Sequence, residues 1–135
     1  MTIVPRGPAD RPMSPHLSVW RWHVTMAASI ATRVTGVGLY LGALILAAWA
    51  LCLAAGPEAY GTFKLVLGSP LGKFVLLGMS ISFFYHLASG VRHMVWDLGY
   101  GMKIQHANAL SVASFAFAVA ATIAVWVIAA MIGAL

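Results

Sequence analysis

Charged positions are sparse enough along this chain that its organisation can be read from the gaps between them. Val34 to Pro57 carries no charged side chain, and Arg33 stands at the head of that run. Phe74 to Val91 holds no charged side chain and a single histidine, His86, and Ala107 to Leu135 holds no ionisable side chain. About 20 apolar residues are enough to cross the hydrocarbon core of a bilayer. The pattern therefore predicts three transmembrane helices, at about 26–54, 70–97 and 107–134. Gly56-Pro57-Glu58 stops the first helix, and Ser69-Pro70 marks the break before the second. Residues 55–69 between them read as a loop carrying Glu58 and Lys64.

The N-terminal stretch, residues 1–25, stands apart. Pro5, Pro8, Pro12 and Pro15 keep it extended, and Trp20, Trp22 and His23 then mix aromatics with cations as an interfacial lead-in does. Residues 26–135 form the three-helix domain. The expected fold is an all-α membrane protein whose helices join a larger heteromeric bundle.

Composition agrees with the bilayer and removes other classes. Charged residues make up 8% of the chain and hydrophobic ones 61%, whereas ordinary soluble domains carry about 25% charged. The net charge of +5 does not signal nucleic acid, because the cations sit at helix ends and form no patch. Arg6, Arg11, Arg21, Arg33, Arg92 and Lys103 fall on the N-terminal side of the membrane, and only Lys64 and Lys73 on the other. That asymmetry places the N-terminus of a multi-pass membrane protein in the cytoplasm. Cys52 lies inside an apolar run and reads as helix filling. The acidic residues are Asp10, Glu58 and Asp97, none of them mid-span, which argues against an ion-coupled transporter. No Gly-rich phosphate loop, CxxC pair, CxxCH motif or Ser-His-Asp arrangement is present, so catalysis on a soluble substrate belongs to another subunit.

His86 is the chemically informative position. It lies eleven residues before Asp97, roughly 16 Å along a helix, too deep for its ring to reach the headgroups. A polar group at that depth needs a partner or a purpose. A neutral imidazole can donate its nitrogen lone pair to haem iron, or it can hydrogen-bond to a neighbouring helix, and both readings are open on these residues alone. Gly90 and His93, four and seven residues on, share its face. The glycine leaves room for a flat macrocycle, and His93 is placed to meet a propionate. No other histidine is mid-membrane, so a second axial ligand would come from another chain. On the first helix Ser29 and Arg33 sit one turn apart, where a hydroxyl and a guanidinium together can bind a quinone carbonyl or a propionate; a terminal arginine can also simply snorkel. Asp97, on the same side, can relay protons or pair with Arg92 or Lys103. Trp20 and Trp96 can line a pocket or anchor the interface. Gly38 and Gly42 form a G-x-x-x-G pair that permits close helix contact.

The run H86-L-A-S-G90-V-R92-H93-M-V-W96-D97-L-G99 resembles the second-helix signature of succinate dehydrogenase cytochrome b556 subunits. R11-P12-M-S14-P15-H16-L17, followed by S29-I-A-T32-R33-V-T35-G36, resembles the opening motif of the same family. The likeness covers residues 11–45 and 70–106, and elsewhere extends only to hydropathy. It implies a membrane-anchor subunit of succinate:quinone oxidoreductase (complex II), with no independent activity. It implies that His86 is an axial ligand of haem b, the other ligand coming from the companion hydrophobic anchor subunit. It implies that Ser29 and Arg33 lie in the ubiquinone site beside the iron–sulfur subunit, with Arg33, Arg92 and His93 as candidates for the propionates. Electrons from succinate would arrive through the flavoprotein and iron–sulfur subunits. One departure stands out: the family commonly has His or Tyr immediately before the helix-one arginine, and here that residue is Thr32. The alternative is a haem-free anchor that only tethers the soluble dehydrogenase.

Overall fold

In a computed structural model of the chain, residues 21–133 are described, and among them the only regular structure is helical. Four helices follow one another: α1 (Val24–Ala55), α2 (Pro57–Gly68), α3 (Pro70–Asp97) and α4 (Ile104–Met131). Three of these, α1, α3 and α4, are long and apolar enough to cross a membrane. Their 32, 28 and 28 residues correspond to about 48, 42 and 42 Å of helix at 1.5 Å per residue, against a hydrocarbon core of about 30 Å. Each therefore has turns to spare at its ends. The chain is a multi-pass membrane protein.

The structure differs from the sequence reading at 55–69, where it has a helix instead of a loop. Both breakers turn out to be helix starters. Gly56 takes φ 112°, a left-handed value that suits glycine, and turns the chain between α1 and α2. Pro57 then occupies the first turn of α2, where its missing N–H costs nothing, and Glu58 in the same turn complements the helix dipole. Ser69 joins α2 to α3. Its hydroxyl donates to the Val66 carbonyl at 2.6 Å and accepts from the Gly72 N–H at 3.1 Å, capping α3 ahead of Pro70. Gly99 (φ 82°) and Gly101 (φ 73°) make the turn into α4. That helix starts at Ile104, ahead of the charge-free run, because Gln105 and His106 continue it beyond the apolar residues.

Packing is inverted relative to a soluble domain. The fully buried positions are mostly small or hydroxylic: Ala28, Ser89, Ser111, Ser114, Ala118 and Thr122. Large aliphatic and aromatic side chains face outward, Leu65 at 77% and Phe74 at 73% exposure among them. Lipid is as apolar as leucine, so helices in a bilayer gain by close contact between small residues and not by hiding large ones. α3 is the central element, packing on both α1 and α4. Gly38 and Gly42 lie at the α1–α3 contact: a Cβ added at Gly38 would stand 2.8 Å from Ser82 Oγ, and one at Gly42 would stand 2.8 Å from Met79 Cε. Most of the hydroxyls in the packing bond to their own helix, Thr122 Oγ1 being an exception. Thr32, Thr35, Ser111 and Ser114 each donate to the carbonyl four residues back, at 2.7 to 2.9 Å.

Candidate functional site

His86 projects from the middle of α3 towards α1. Its Nδ1 lies 3.2 Å from Thr35 Oγ1. α1 also approaches the ring at Gly36, where an added Cβ would fall 3.3 Å from His86 Cε1. Nε2 has no hydrogen-bond partner among the described residues, and the residue is only half-buried. On the same face of α3, a Cβ on Gly90 would meet nothing within 4 Å. An imidazole with one nitrogen engaged and the other free, next to open helix surface, fits an axial ligand of a flat group. His23, His93 and His106 are all exposed, and among the described residues none lies at the depth of His86.

Ser29 and Arg33 are both exposed on α1 and make no hydrogen bond or ion pair among the described residues. Their spacing of four residues puts hydroxyl and guanidinium on one open face. Asp97 is exposed at the end of α3, and no salt bridge joins it to Arg92 or Lys103. Trp20 lies outside the described residues. Trp96 is half-buried between two neighbours on its own helix: Arg92 stacks over its ring at 4.8 Å, and the His93 ring meets it edge-on with centroids 5.2 Å apart.

Arg92 is the unexpected case. It is 4% exposed, and its guanidinium points into the helix packing. Nη1 donates to Ser111 Oγ on α4 at 2.9 Å, Nη2 donates to Ser89 Oγ at 3.3 Å, and Nε has no partner. Ser89 in turn lies 2.7 Å from Thr32 Oγ1 on α1. The departure at Thr32 is thereby absorbed into an internal contact between α1 and α3.

The family model for succinate dehydrogenase/fumarate reductase transmembrane subunits matches residues 8–125. The chain belongs to this family. It is 38% identical over 116 residues to the succinate dehydrogenase cytochrome b556 subunit of Paracoccus denitrificans, covering 86% of this chain and 88% of the relative. It is 36% identical over 117 residues to the cytochrome b556 subunit of Rickettsia felis, covering 87% and 91%. It is 37% identical over 98 residues to the mitochondrial cytochrome b560 subunit of Sus scrofa, covering 71% and 58%.

As a member of the succinate dehydrogenase/fumarate reductase transmembrane family, the chain shows what its motifs leave unsaid. The histidine signature marks His86, Gly90 and Arg92 alike, yet His86 keeps Nε2 unbonded beside open helix surface, while both Nη atoms of Arg92 are committed to serines. Thr35, Ser89 and Ser111 were not singled out from the sequence. Hydroxyl residues are common in membrane helices, and no spacing rule separates one that back-bonds to its own helix from one that also touches a neighbour. The recurrence of Ser and Thr at Thr32, Thr35, Ser89 and Ser111 was the available signal.

Proposed function

We propose that the chain is a haem b-binding membrane anchor of a succinate:quinone oxidoreductase and forms one wall of its ubiquinone site. The observation that carries the reading is His86, a mid-span imidazole with Nδ1 occupied, Nε2 free and open surface at Gly90. Isolated in lipid, such a nitrogen would be costly; bound to iron it is satisfied. His86 would hold haem iron through Nε2, and a companion hydrophobic anchor subunit would supply the second axial ligand. Arg33 and His93, both exposed, are the propionate partners this geometry favours. Arg92 belongs instead to helix packing, because its Nη atoms are already used within it. Bound haem supplies a one-electron reservoir beside the quinone.

Ser29 and Arg33 present an O–H and a guanidinium to a quinone carbonyl. A positive donor there stabilises the negative charge that develops on the oxygen during reduction. Asp97, exposed and unpaired, is placed to carry protons from the same membrane side, and Trp96 can wall the pocket. The N-terminus faces the cytoplasm of a bacterial inner membrane, where an iron–sulfur subunit and a flavoprotein subunit would dock and deliver electrons from succinate.

The deciding experiment is an absorption spectrum of the dithionite-reduced complex purified through this chain. A b-type α-band that disappears in His86→Ala is expected. A band that survives the substitution, or no band in the unmodified complex, overturns haem ligation by His86 and leaves a haem-free tether.

A further inference from the structure

We infer that Thr35 is the positioning residue for His86: its oxygen accepts the Nδ1–H, fixes the ring in one tautomer and so turns the Nε2 lone pair outward to the iron. This rests on the haem reading above and adds to it the group that orients the ligand.

The argument is one of proton accounting. A threonine hydroxyl has one proton. Thr35 Oγ1 lies 2.7 Å from the Ala31 carbonyl oxygen and 3.2 Å from that of Thr32, and these are acceptors only. The hydroxyl proton is therefore spent on the backbone of α1. Towards His86, 3.2 Å away, Thr35 has only lone pairs to offer. Nδ1 must then carry the proton and donate, which leaves the lone pair of the neutral ring on Nε2. Thr35 is 8% exposed, so water does not compete for this contact.

Gly36 completes the cradle. The ring edge rests where a side chain would otherwise be, 3.3 Å from the Cβ position at Cε1 and 3.9 Å at Nδ1. Two consecutive residues of α1 thus do separate jobs. Thr35 sets which nitrogen is protonated, and Gly36 lets the ring lie close enough to reach it. A hydrogen bond from the outer ring N–H also raises the basicity of the ligating nitrogen and favours the ferric state. A neutral hydroxyl does this more weakly than a carboxylate, and it places no second ionisable group in the bilayer.

The test uses the complete complex in membranes with Thr35→Val, which keeps the shape and loses the acceptor, and Thr35→Ser, which keeps the acceptor. Haem per flavin, the haem midpoint potential and the low-temperature electron paramagnetic resonance of the ferric haem are read for each. Thr35→Val should weaken haem retention by about tenfold or more, shift the midpoint of the remaining haem upward and alter its resonance, and Thr35→Ser should restore all three. Full haem content with an unchanged or lowered midpoint in Thr35→Val overturns the assignment, as does a Thr35→Ser variant as impaired as Thr35→Val. His86→Ala in the same background separates the two claims. If it leaves the haem band intact, the ligand itself is wrong; if it removes the band while Thr35→Val changes nothing, only the role of Thr35 fails.

Discussion

Thr32 Oγ1 on α1 and Ser89 Oγ on α3 lie 2.7 Å apart, and the same serine oxygen lies 3.3 Å from Arg92 Nη2. The direction of each bond follows from the available protons. Arg92 donates to Ser89, Ser89 to Thr32, and Thr32 to the Ala28 carbonyl at 2.9 Å. Tyr85 donates to that same carbonyl at 2.8 Å. The chain of donors ties α3 to α1, while Arg92 Nη1 and Ser111 tie α3 to α4.

The serines should matter more to stability than the arginine they hold. Ser89→Ala combined with Ser111→Ala leaves a buried guanidinium with the Trp96 ring beside it but no hydrogen-bond partner, a cost of several kcal/mol. Arg92→Leu removes the charge and leaves both serines able to bond to other groups. Thermal denaturation in detergent should rank the double serine variant well below Arg92→Leu. A Thr32→Val, Ser89→Ala double-mutant cycle should show coupling of about 0.6 kcal/mol, the average for hydrogen bonds between membrane helices.

The α1–α3 contact should tolerate no side chain at Gly38. A Cβ there falls 2.8 Å from Ser82 Oγ, and the branches of a valine would reach further into α3. Gly38→Val should lower the midpoint of thermal unfolding and the yield of assembled complex. Gly78→Ala, at a position with nothing within 4 Å of the added Cβ, should leave both unchanged or slightly improved, since alanine is the better helix former.

Ser29→Ala and Arg33→Leu should slow quinone reduction while succinate oxidation with an artificial dye acceptor stays near the unmodified rate. Loss of one hydrogen bond to a developing charge costs about a hundredfold to a thousandfold in rate. Equal loss of both activities would indicate failed assembly, and unchanged quinone kinetics would remove both residues from the site.

The cation asymmetry makes a topological prediction. Single cysteines at Lys64 and Lys103, in a Cys52→Ala background, should differ in reaction with a membrane-impermeant maleimide added to right-side-out vesicles. Position 64 should label and position 103 should not. The opposite pattern would invert the proposed orientation, with the iron–sulfur subunit docking on the other face.

The bilayer as solvent was legible in the sequence because hydropathy is a summed property: runs such as Val34–Pro57 and Ala107–Leu135 need no neighbour to be recognised. His86 was legible for the related reason that a lone imidazole in such a run is conspicuous wherever it points. The helix at Pro57–Gly68 was not, since Gly-Pro and Ser-Pro serve equally to end a helix and to begin one, and only packing against α1 and α3 decides between them. The three-dimensional arrangement alone decided that Arg92 turns inward to Ser89 and Ser111, that Arg33 stays outside, and that Thr35 meets His86 across 51 residues of chain. Side-chain direction depends on how two helices rotate about their axes, and a hydroxyl has the same hydropathy whether it faces its own backbone, a neighbouring ring or lipid.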